Sequence, residues 1–394
     1  MKKFIVTIMA GVMTMIMLTG ISILANANTM QSARLVDKNG SFGGVLSENE
    51  ESYCHRMALD SAGTLTFTVT SYVDDELGIG IYDAQYQAVV GDYVRMDSAS
   101  KVGVETMSFE LDRGTYYIRA IGNTDWDSSY SYDKGTYTIK SSFKSAGVNH
   151  SENNNEFSAA STIKNKAKIK GHIAKNNVCD YYKFRLSKAS KVSFRTTSYF
   201  ERIGFRIYNS SFESITGDTV YWENASKVGV DTLSYDLDKG TYYVRVIGNY
   251  WDYTDTYYYG KYNFTFTAKV AGVNHKENNN SFEQASNIQV KKPIKGQIAL
   301  NNRVDYYKIK VNKPGRIKIR VNSKMKYLGY SIYNGSYERL TGNSKYWNDA
   351  SQRISWTDTY TVGKGTYYIR FIGSSWSDSS DSSYFGNYNF KVYR

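Results

Sequence analysis

The nine residues Gly240–Gly248, GTYYVRVIG, put Tyr242, Val244 and Val246 on one side of an extended chain and Tyr243, Arg245 and Ile247 on the other. That period of two predicts a half-buried β-strand. Almost the same letters recur at Gly114–Gly122 (GTYYIRAIG) and Gly365–Gly373 (GTYYIRFIG). Tyr182, Phe184 and Leu186 alternate with Lys183, Arg185 and Ser187, and Val192 and Phe194 resume the pattern after a Lys-Ala-Ser turn. In the last third, Asn312-Lys313-Pro314-Gly315 separates Tyr307-Ile309-Val311 from Ile317-Ile319-Val321, which predicts a hairpin. Only Phe157–Ile163 and Phe282–Ile288 suit a short helix.

These strands belong to a unit written three times. AGVNHSENNNEFSAASTI starts at Ala146 and AGVNHKENNNSFEQASNI at Ala271, a shift of 125 that also carries Asp180 onto Asp305, Trp222 onto Trp347 and Gly240 onto Gly365. The first copy aligns at a shift of 127 early on and 126 after Leu77. A period this long duplicates a whole domain and is not a solenoid repeat. The chain of 394 residues therefore reads as all-β: three tandem antiparallel β-sandwiches over 28–145, 151–269 and 276–394. In each, the first tyrosine of the repeated phrase turns into the core.

Six motifs in fixed order carry a resemblance: ENNNSFEQASNI, KGQI, VDYYKIKV, KPGRIKIRV, KGTYYIRFIG and GNYNFKV. Together they resemble the bacterial pre-peptidase C-terminal domain, which includes the collagen-binding domains of bacterial collagenases. The resemblance implies a jelly-roll-like sandwich, usually appended to a secreted peptidase, although no peptidase domain accompanies these copies. It also implies calcium where the entering linker meets the sandwich. The implied ligands are Glu152, Asn154, Asn155 and Asp180 in copy two, and Glu277, Asn279, Asn280 and Asp305 in copy three. Calcium prefers such oxygen donors. Copy one has Tyr53 in place of Asp180, so two sites are expected at most. The alternative is that ENNN is a polar linker and the aspartate a hydrogen-bonded strand end.

At the N-terminus, Lys2 and Lys3 precede an apolar run from Phe4 to Leu24 and then Ala25-Asn26-Ala27. This predicts residues 1–27 as a secretory signal cleaved after Ala27. The mature chain is then expected outside the cell, soluble or held at the surface, with no membrane span. Export permits a disulfide, but Cys54 and Cys179 stand at non-equivalent repeat positions and are expected as isolated thiols. No HExxH, GxSxG, CxxC or phosphate loop occurs. His150 and His275 are repeat equivalents rather than a pair, and Cys54 and His55, adjacent on a strand, point to opposite faces. The chain is expected not to be an enzyme.

Two features suit a ligand. Trp126, Trp251 and Trp376 align in the loop after the repeated phrase, with Tyr253, Tyr257 and Tyr259 nearby in copy two, and Trp222 and Trp347 mark a second aromatic loop. Flat rings beside Asp, Ser and Thr suit a sugar ring or an extended peptide; the alternative is that each Trp plugs the sandwich end. Charge is the second feature. Of the net +12, residues 28–147 carry −7, 148–275 carry +5 and 276–394 carry +12. The hairpin alternation places Lys308, Lys310, Lys318 and Arg320 on one exposed face, a polyanion site. The expected partner is an extracellular polysaccharide or matrix protein and not nucleic acid. A surface spacer with calcium-stiffened joints is the alternative, and a secreted hydrolase a third.

Overall fold

The computed structural model describes residues 29–48, 52–97, 100–122, 133–200, 202–221, 229–248, 258–346, 353–373 and 381–394. Domain one contains β1 (Arg34–Val36), β2 (Ser41–Leu46), β3 (Ser52–Leu59), β4 (Gly63–Ser71), β5 (Glu76–Tyr82), β6 (Ala88–Arg95), β7 (Gly103–Leu111), β8 (Gly114–Gly122) and β9 (Gly135–Ser145). Domain two contains β10 (Ser161–Thr162), β11 (Lys168–Ile173), β12 (Cys179–Leu186), β13 (Ser190–Ser198), β14 (Arg202–Tyr208), β15 (Ser214–Tyr221), β16 (Gly229–Leu237), β17 (Gly240–Ile247) and β18 (Gly260–Val270). Domain three repeats the series as β19 (Ser286–Asn287), β20 (Pro293–Ile298), β21 (Val304–Val311), β22 (Gly315–Ser323), β23 (Tyr327–Tyr333), β24 (Arg339–Tyr346), β25 (Ile354–Val362), β26 (Gly365–Ile372) and β27 (Gly386–Tyr393).

Each domain packs a five-stranded sheet on a four-stranded one. In domain two the orders are β10-β12-β17-β14-β15 and β11-β18-β13-β16, and both other domains repeat them. The repeated phrase forms β8, β17 and β26, a central strand of each five-stranded sheet. Its first tyrosine, Tyr116, Tyr242 or Tyr367, is buried, as the alternation requires. From the facing sheet, Phe194, Phe264 and Phe266 close the domain-two core. Phe184 and Phe266 meet at 4.7 Å between ring centroids. All pairings are antiparallel except one short edge pair per domain: β1 with β3, β10 with β12 and β19 with β21.

Two expectations fail here. No hairpin joins β21 to β22: β21 pairs with β26, whereas β22 pairs with β25 and β27 in the opposite sheet. The Lys313-Pro314-Gly315 turn carries the chain across the core. Tyr307, Ile309 and Val311 then meet Ile317, Ile319 and Val321 face to face, and the outward residues of the two strands point away from each other. Lys308 and Lys310 therefore lie on one side of the sandwich and Lys318 and Arg320 on the other. The four cations do not form one site. The short helices are also absent. Residues 156–160 make turns, with Ala159 N donating to Glu156 O at 3.2 Å, and Ser161–Thr162 pair with β12. One helical turn rarely outweighs its nucleation cost. Here Phe157 instead joins Tyr181, Tyr208, Phe212 and Tyr243 on the outer face of the sheet.

Candidate functional site

The repeated phrase is preceded by Asp112-Arg113 in domain one and Asp238-Lys239 in domain two. These turns face the next domain. Tyr116 hydroxyl donates to Asp112 O at 2.7 Å and accepts from Asn176 Nδ2 at 2.9 Å, while Asp112 N donates to Asn176 Oδ1 at 3.3 Å. The second joint copies the first. Tyr242 hydroxyl donates to Asp238 O at 2.6 Å and accepts from Asn301 Nδ2 at 2.9 Å, and Asp238 N reaches Asn301 Oδ1 at 3.0 Å. One tyrosine thus closes its own turn and grips the following domain. In domain three Tyr367 reaches only Gly363 O, at 3.2 Å.

Beside each clamp the joints differ. His172 Nε2 meets Glu110 Oε2 at 2.7 Å in the first, and Gln297 Nε2 donates to Asp236 Oδ1 at 2.6 Å in the second. Lys175 N donates to Glu110 O, and its counterpart Leu300 N donates to Asp236 O. Leu300 is buried, and apolar contacts run unbroken from domain two into domain three, whereas the core of domain one stands apart.

The linker residues singled out by the repeat converge at these joints. Asn154 and Asn279 are fully buried, and each donates its Nδ2 to a strand carbonyl, Tyr181 O or Tyr306 O. Their Oδ1 atoms have no hydrogen-bond donor. Asp180 and Asp305 are buried too, each with Oδ1 lacking a donor. In the first joint both carboxylate oxygens of Glu152 are also without a partner, as are both the oxygen and the nitrogen of the Asn177 side chain. Asn155 and Asn280, one position on, are exposed.

Charge makes these sets unfavourable as they stand. Burial pushes Glu152 up to about 9, reinforced by Asp112 across the joint and by Asp180. Burial pushes Asp180 to about 7 and Asp305 to about 8. Glu277 is raised to about 7 by burial and then by Asp238. Buried acceptors without donors cost free energy, and neighbouring carboxylates resist joint ionisation. A hard cation would relieve both penalties, and carboxylate plus amide oxygens are the donors calcium takes. The residues therefore fit the ion the resemblance implies. Among the described residues no three His, Cys, Asp or Glu side chains alone stand close enough to hold a metal, so the amide oxygens are essential to the set.

The aspartates are held from behind. Asp180 Oδ2 accepts from Tyr262 hydroxyl, which contacts Tyr182 hydroxyl at 2.6 Å, and Tyr182 reaches His150 Nε2 at 2.8 Å. Domain three repeats the chain: Tyr388 to Asp305 at 2.6 Å, Tyr388 to Tyr307 at 2.7 Å and Tyr307 to His275 at 2.9 Å. The linker histidine is thereby tied through two buried tyrosines to the acid. The glycine of KGHI and KGQI makes room: a Cβ on Gly171 would stand 2.3 Å from Tyr262 Cζ. Domain one keeps the column with other residues, His55 Nε2 meeting Tyr137 hydroxyl at 3.1 Å. Sequence reading found the aspartates and histidines separately. The signal joining them, His and Asp-Tyr-Tyr recurring at one shared offset, was present.

Of the aromatic ligand residues, Trp126, Trp251, Trp376, Trp222, Trp347, Tyr253 and Tyr257 lie outside the described residues. Tyr259 stands at the first joint, with Lys175 Nζ 5.5 Å from its ring centroid. Cys54 and Cys179 are free thiols. The basic residues regroup. Lys318 and Arg320 share the outer face of the four-stranded sheet with Lys295, Arg316 and Lys391, which the hairpin assumption hid. Arg320 and Lys391 are direct cross-strand neighbours. The equivalent face of domain two carries Lys168, Lys170, Lys191, Arg195 and Lys269, with Lys191 opposite Lys269. None of these ten cations is in an ion pair among the described residues.

No protein-family model matches the chain. It is similar to Collagenase ColA of Clostridium perfringens (strain 13 / Type A), with 26% identity over 239 residues, 56% of this chain and 20% of the collagenase. The likeness to a collagenase agrees with the resemblance carried by the six ordered motifs. The chain spans about a fifth of the length of that curated relative. Among solved structures, the pre-peptidase C-terminal domain of a collagenase from Bacillus anthracis is 17% identical, covering 27% of this chain and 91% of its own, with a TM-score of 0.21. CorA, a surface-associated copper-binding protein of Methylomicrobium album BG8, is 13% identical, covering 29% of this chain and 98% of its own, also at 0.21.

Proposed function

We propose that the protein is an exported, non-catalytic binding array that attaches to an anionic extracellular polymer through the outer faces of the four-stranded sheets in domains two and three. The observation that carries this is the cationic face of domain three. Its outward strand positions hold Lys295, Arg316, Lys318, Arg320 and Lys391 among Ser, Thr and Asn with Pro293, Gln297 and Tyr393, and no carboxylate. Like charges directly opposite across a sheet are destabilising, yet Arg320 faces Lys391; in domain two Lys191 faces Lys269 on one side and Asp236 on the other. A bound polyanion removes that repulsion. An anionic wall polymer or acidic glycan presents its charges in an extended row, as the sheets present theirs.

Hard divalent cations at the two joints, calcium by the resemblance, belong to the same reading: the one at the second joint would set the spacing of the two cationic faces. The likeness to a collagenase favours a second reading, a fibrous matrix protein as ligand. Sedimentation of the full chain with teichoic-acid-bearing wall, a sulfated glycan, neutral cellulose and fibrillar collagen separates the two. Retention on the two anionic polymers, lost in high salt, supports the first reading. Equal retention on cellulose, or none on any anionic polymer at low salt, refutes it, and salt-resistant retention on collagen alone supports the second.

A further inference from the structure

The third sandwich departs from the other two along one edge. β24 and β25 are end strands of its two sheets. On β25, register opposite Val321, Ile319 and Ile317 puts Trp356, Asp358 and Tyr360 on the core side. On β24, Asn343 stands opposite Tyr330 of β23. Asp358 ties the two sheets together: its Oδ2 accepts from the Tyr330 hydroxyl at 2.5 Å and its Oδ1 from Asn343 Nδ2 at 2.9 Å. Tyr330 spends its one hydrogen on Asp358, so the Tyr360 hydroxyl donates to Tyr330, at 2.9 Å.

The other copies are built differently here. Asp358 takes the place of Met107 and Leu233, Tyr330 that of Ile79 and Phe205, and Trp356 that of Glu105 and Asp231. Met107 and Leu233 are buried, whereas Trp356, Asp358 and Tyr360 are half-buried. An apolar seam in two copies is a partly open slot of rings around a carboxylate in the third. A carboxylate on the core side of a strand is costly to bury, and the sister copies show that packing does not require one. Asp358 is in no ion pair among the described residues, and Lys345, the cation on the same side of β24, is exposed.

We propose that this slot is a binding site for an uncharged saccharide, separate from the cationic faces. Each oxygen of Asp358 has accepted one bond and keeps a lone pair for a sugar hydroxyl. Four residues of strand set the Cα atoms of Trp356 and Tyr360 about 13 Å apart, with Asp358 between them. A chain of pyranose rings lying along β25 thus meets a ring, a carboxylate and a ring in turn. The aromatic faces take the C–H side of a pyranose, and Asp358 with the Tyr360 hydroxyl takes its hydroxyls. A carboxylate with no paired cation turns away an anionic sugar. The slot therefore differs in chemistry from the outer face of the same sheet, where Thr357 and Thr359 of β25 stand opposite Arg320 and Lys318.

The test is calorimetric titration of the full chain with four soluble sugars: cellotetraose, maltotetraose, mannotetraose and chitotetraose. At least one should bind, and its binding should persist in high salt, which weakens attachment through the cationic faces. Asp358→Leu and Tyr360→Phe install the side chains that domains two and one carry at these positions, Leu233 and Phe109. Each should weaken binding by about tenfold or more, with thermal melts confirming a folded chain; if Asp358→Leu fails to fold, Tyr360→Phe decides. Arg320→Glu with Lys391→Glu should leave sugar binding unchanged. No binding of any of the four at millimolar concentration overturns the slot and leaves the cationic-face reading standing. Binding that vanishes in high salt, or that is unchanged in the folded slot variants, places the sugar elsewhere and overturns it too.

Discussion

The Tyr242 hydroxyl supports two things at once, and the third copy supplies its control. Tyr242→Phe removes one oxygen and leaves the ring. It deletes a donor to Asp238 O at 2.6 Å and an acceptor for Asn301 Nδ2 at 2.9 Å. Each hydrogen bond contributes about 1 kcal/mol net, and a partner left dry costs about 1–3 kcal/mol. Asn301 is exposed and regains water, but Asp238 is buried, so the sum is about 2–3 kcal/mol. Tyr367→Phe deletes only the longer contact to Gly363 O at 3.2 Å, beside an exposed glycine, and should cost about 1 kcal/mol or less. Hydrogen exchange reads the difference where it matters. Leu300 N donates to Asp236 O across the joint at 2.9 Å, and its protection should fall about 10- to 100-fold in Tyr242→Phe, at 1.4 kcal/mol per decade. Tyr367→Phe should leave Leu300 protected. Equal protection loss in the two variants would mean that the hydroxyl serves only its own turn and that the joint draws nothing from it.

Gly296→Ala places a Cβ 2.4 Å from Tyr388 Cζ in a fully buried ring and should cost about 1–3 kcal/mol in calorimetry; Gly365→Ala, with 3.7 Å to its nearest neighbour, should change little. His55 is buried and its imidazole held down to about 4, by burial and then by Arg34. The unfolded chain protonates near 6.5 and the folded one does not, so domain one should lose stability as pH falls from 6.5 to 4, by at most ~1.4 kcal/mol per unit. His55→Gln, measured by thermal melts across that range, should flatten the slope. Asp305→Asn keeps an acceptor for Tyr388 without the buried charge; in chelator it should raise the melting temperature of domain three, and added calcium should no longer do so. Arg320→Glu with Lys391→Glu should abolish low-salt retention on sulfated glycan in a pull-down while leaving the melt unchanged.

The strands were legible because a half-buried sheet imposes period two, and the three copies printed that period three times. The pairing of the strands was not. A Pro-Gly turn at 314–315 says that the chain reverses, but a hairpin and a crossover between facing sheets present the same alternation, since both put Tyr307 and Ile317 in the core. That ambiguity misplaced the cations: Lys308 and Lys318 look adjacent in sequence and stand on opposite sides of the sandwich. The linker acids were legible through the resemblance alone. Asp112 and Asp238 were not, because they sit a domain earlier, in a turn whose own role is only to start a strand.

What varies among the copies also bears on why there are three. If identical weak sites were multiplied for avidity, the binding face would repeat as faithfully as the core does. The core does repeat, down to the Asp–Tyr–Tyr–His chain in domains two and three, but the faces diverge. The four-stranded sheet of domain one offers Lys140 and Lys144 on its outer side, with Glu110 at the edge where domain two has Asp236, and that segment is net acidic. Domains two and three each offer five cations, and their four-stranded sheets meet at the joint where Gln297 of β20 takes Asp236 of β16. The second joint is also the one with the buried Leu300 and the unbroken apolar contact. The better-cemented joint thus lies between the two cationic domains. A polyanion spanning both faces requires their spacing to be fixed. Its affinity should therefore fall when that joint is loosened by Tyr242→Phe, with every cation still in place, and fall less when Tyr116→Phe loosens the first. Indifference to both substitutions in the same low-salt retention assay would mean that each face binds on its own and that the joints serve some other purpose.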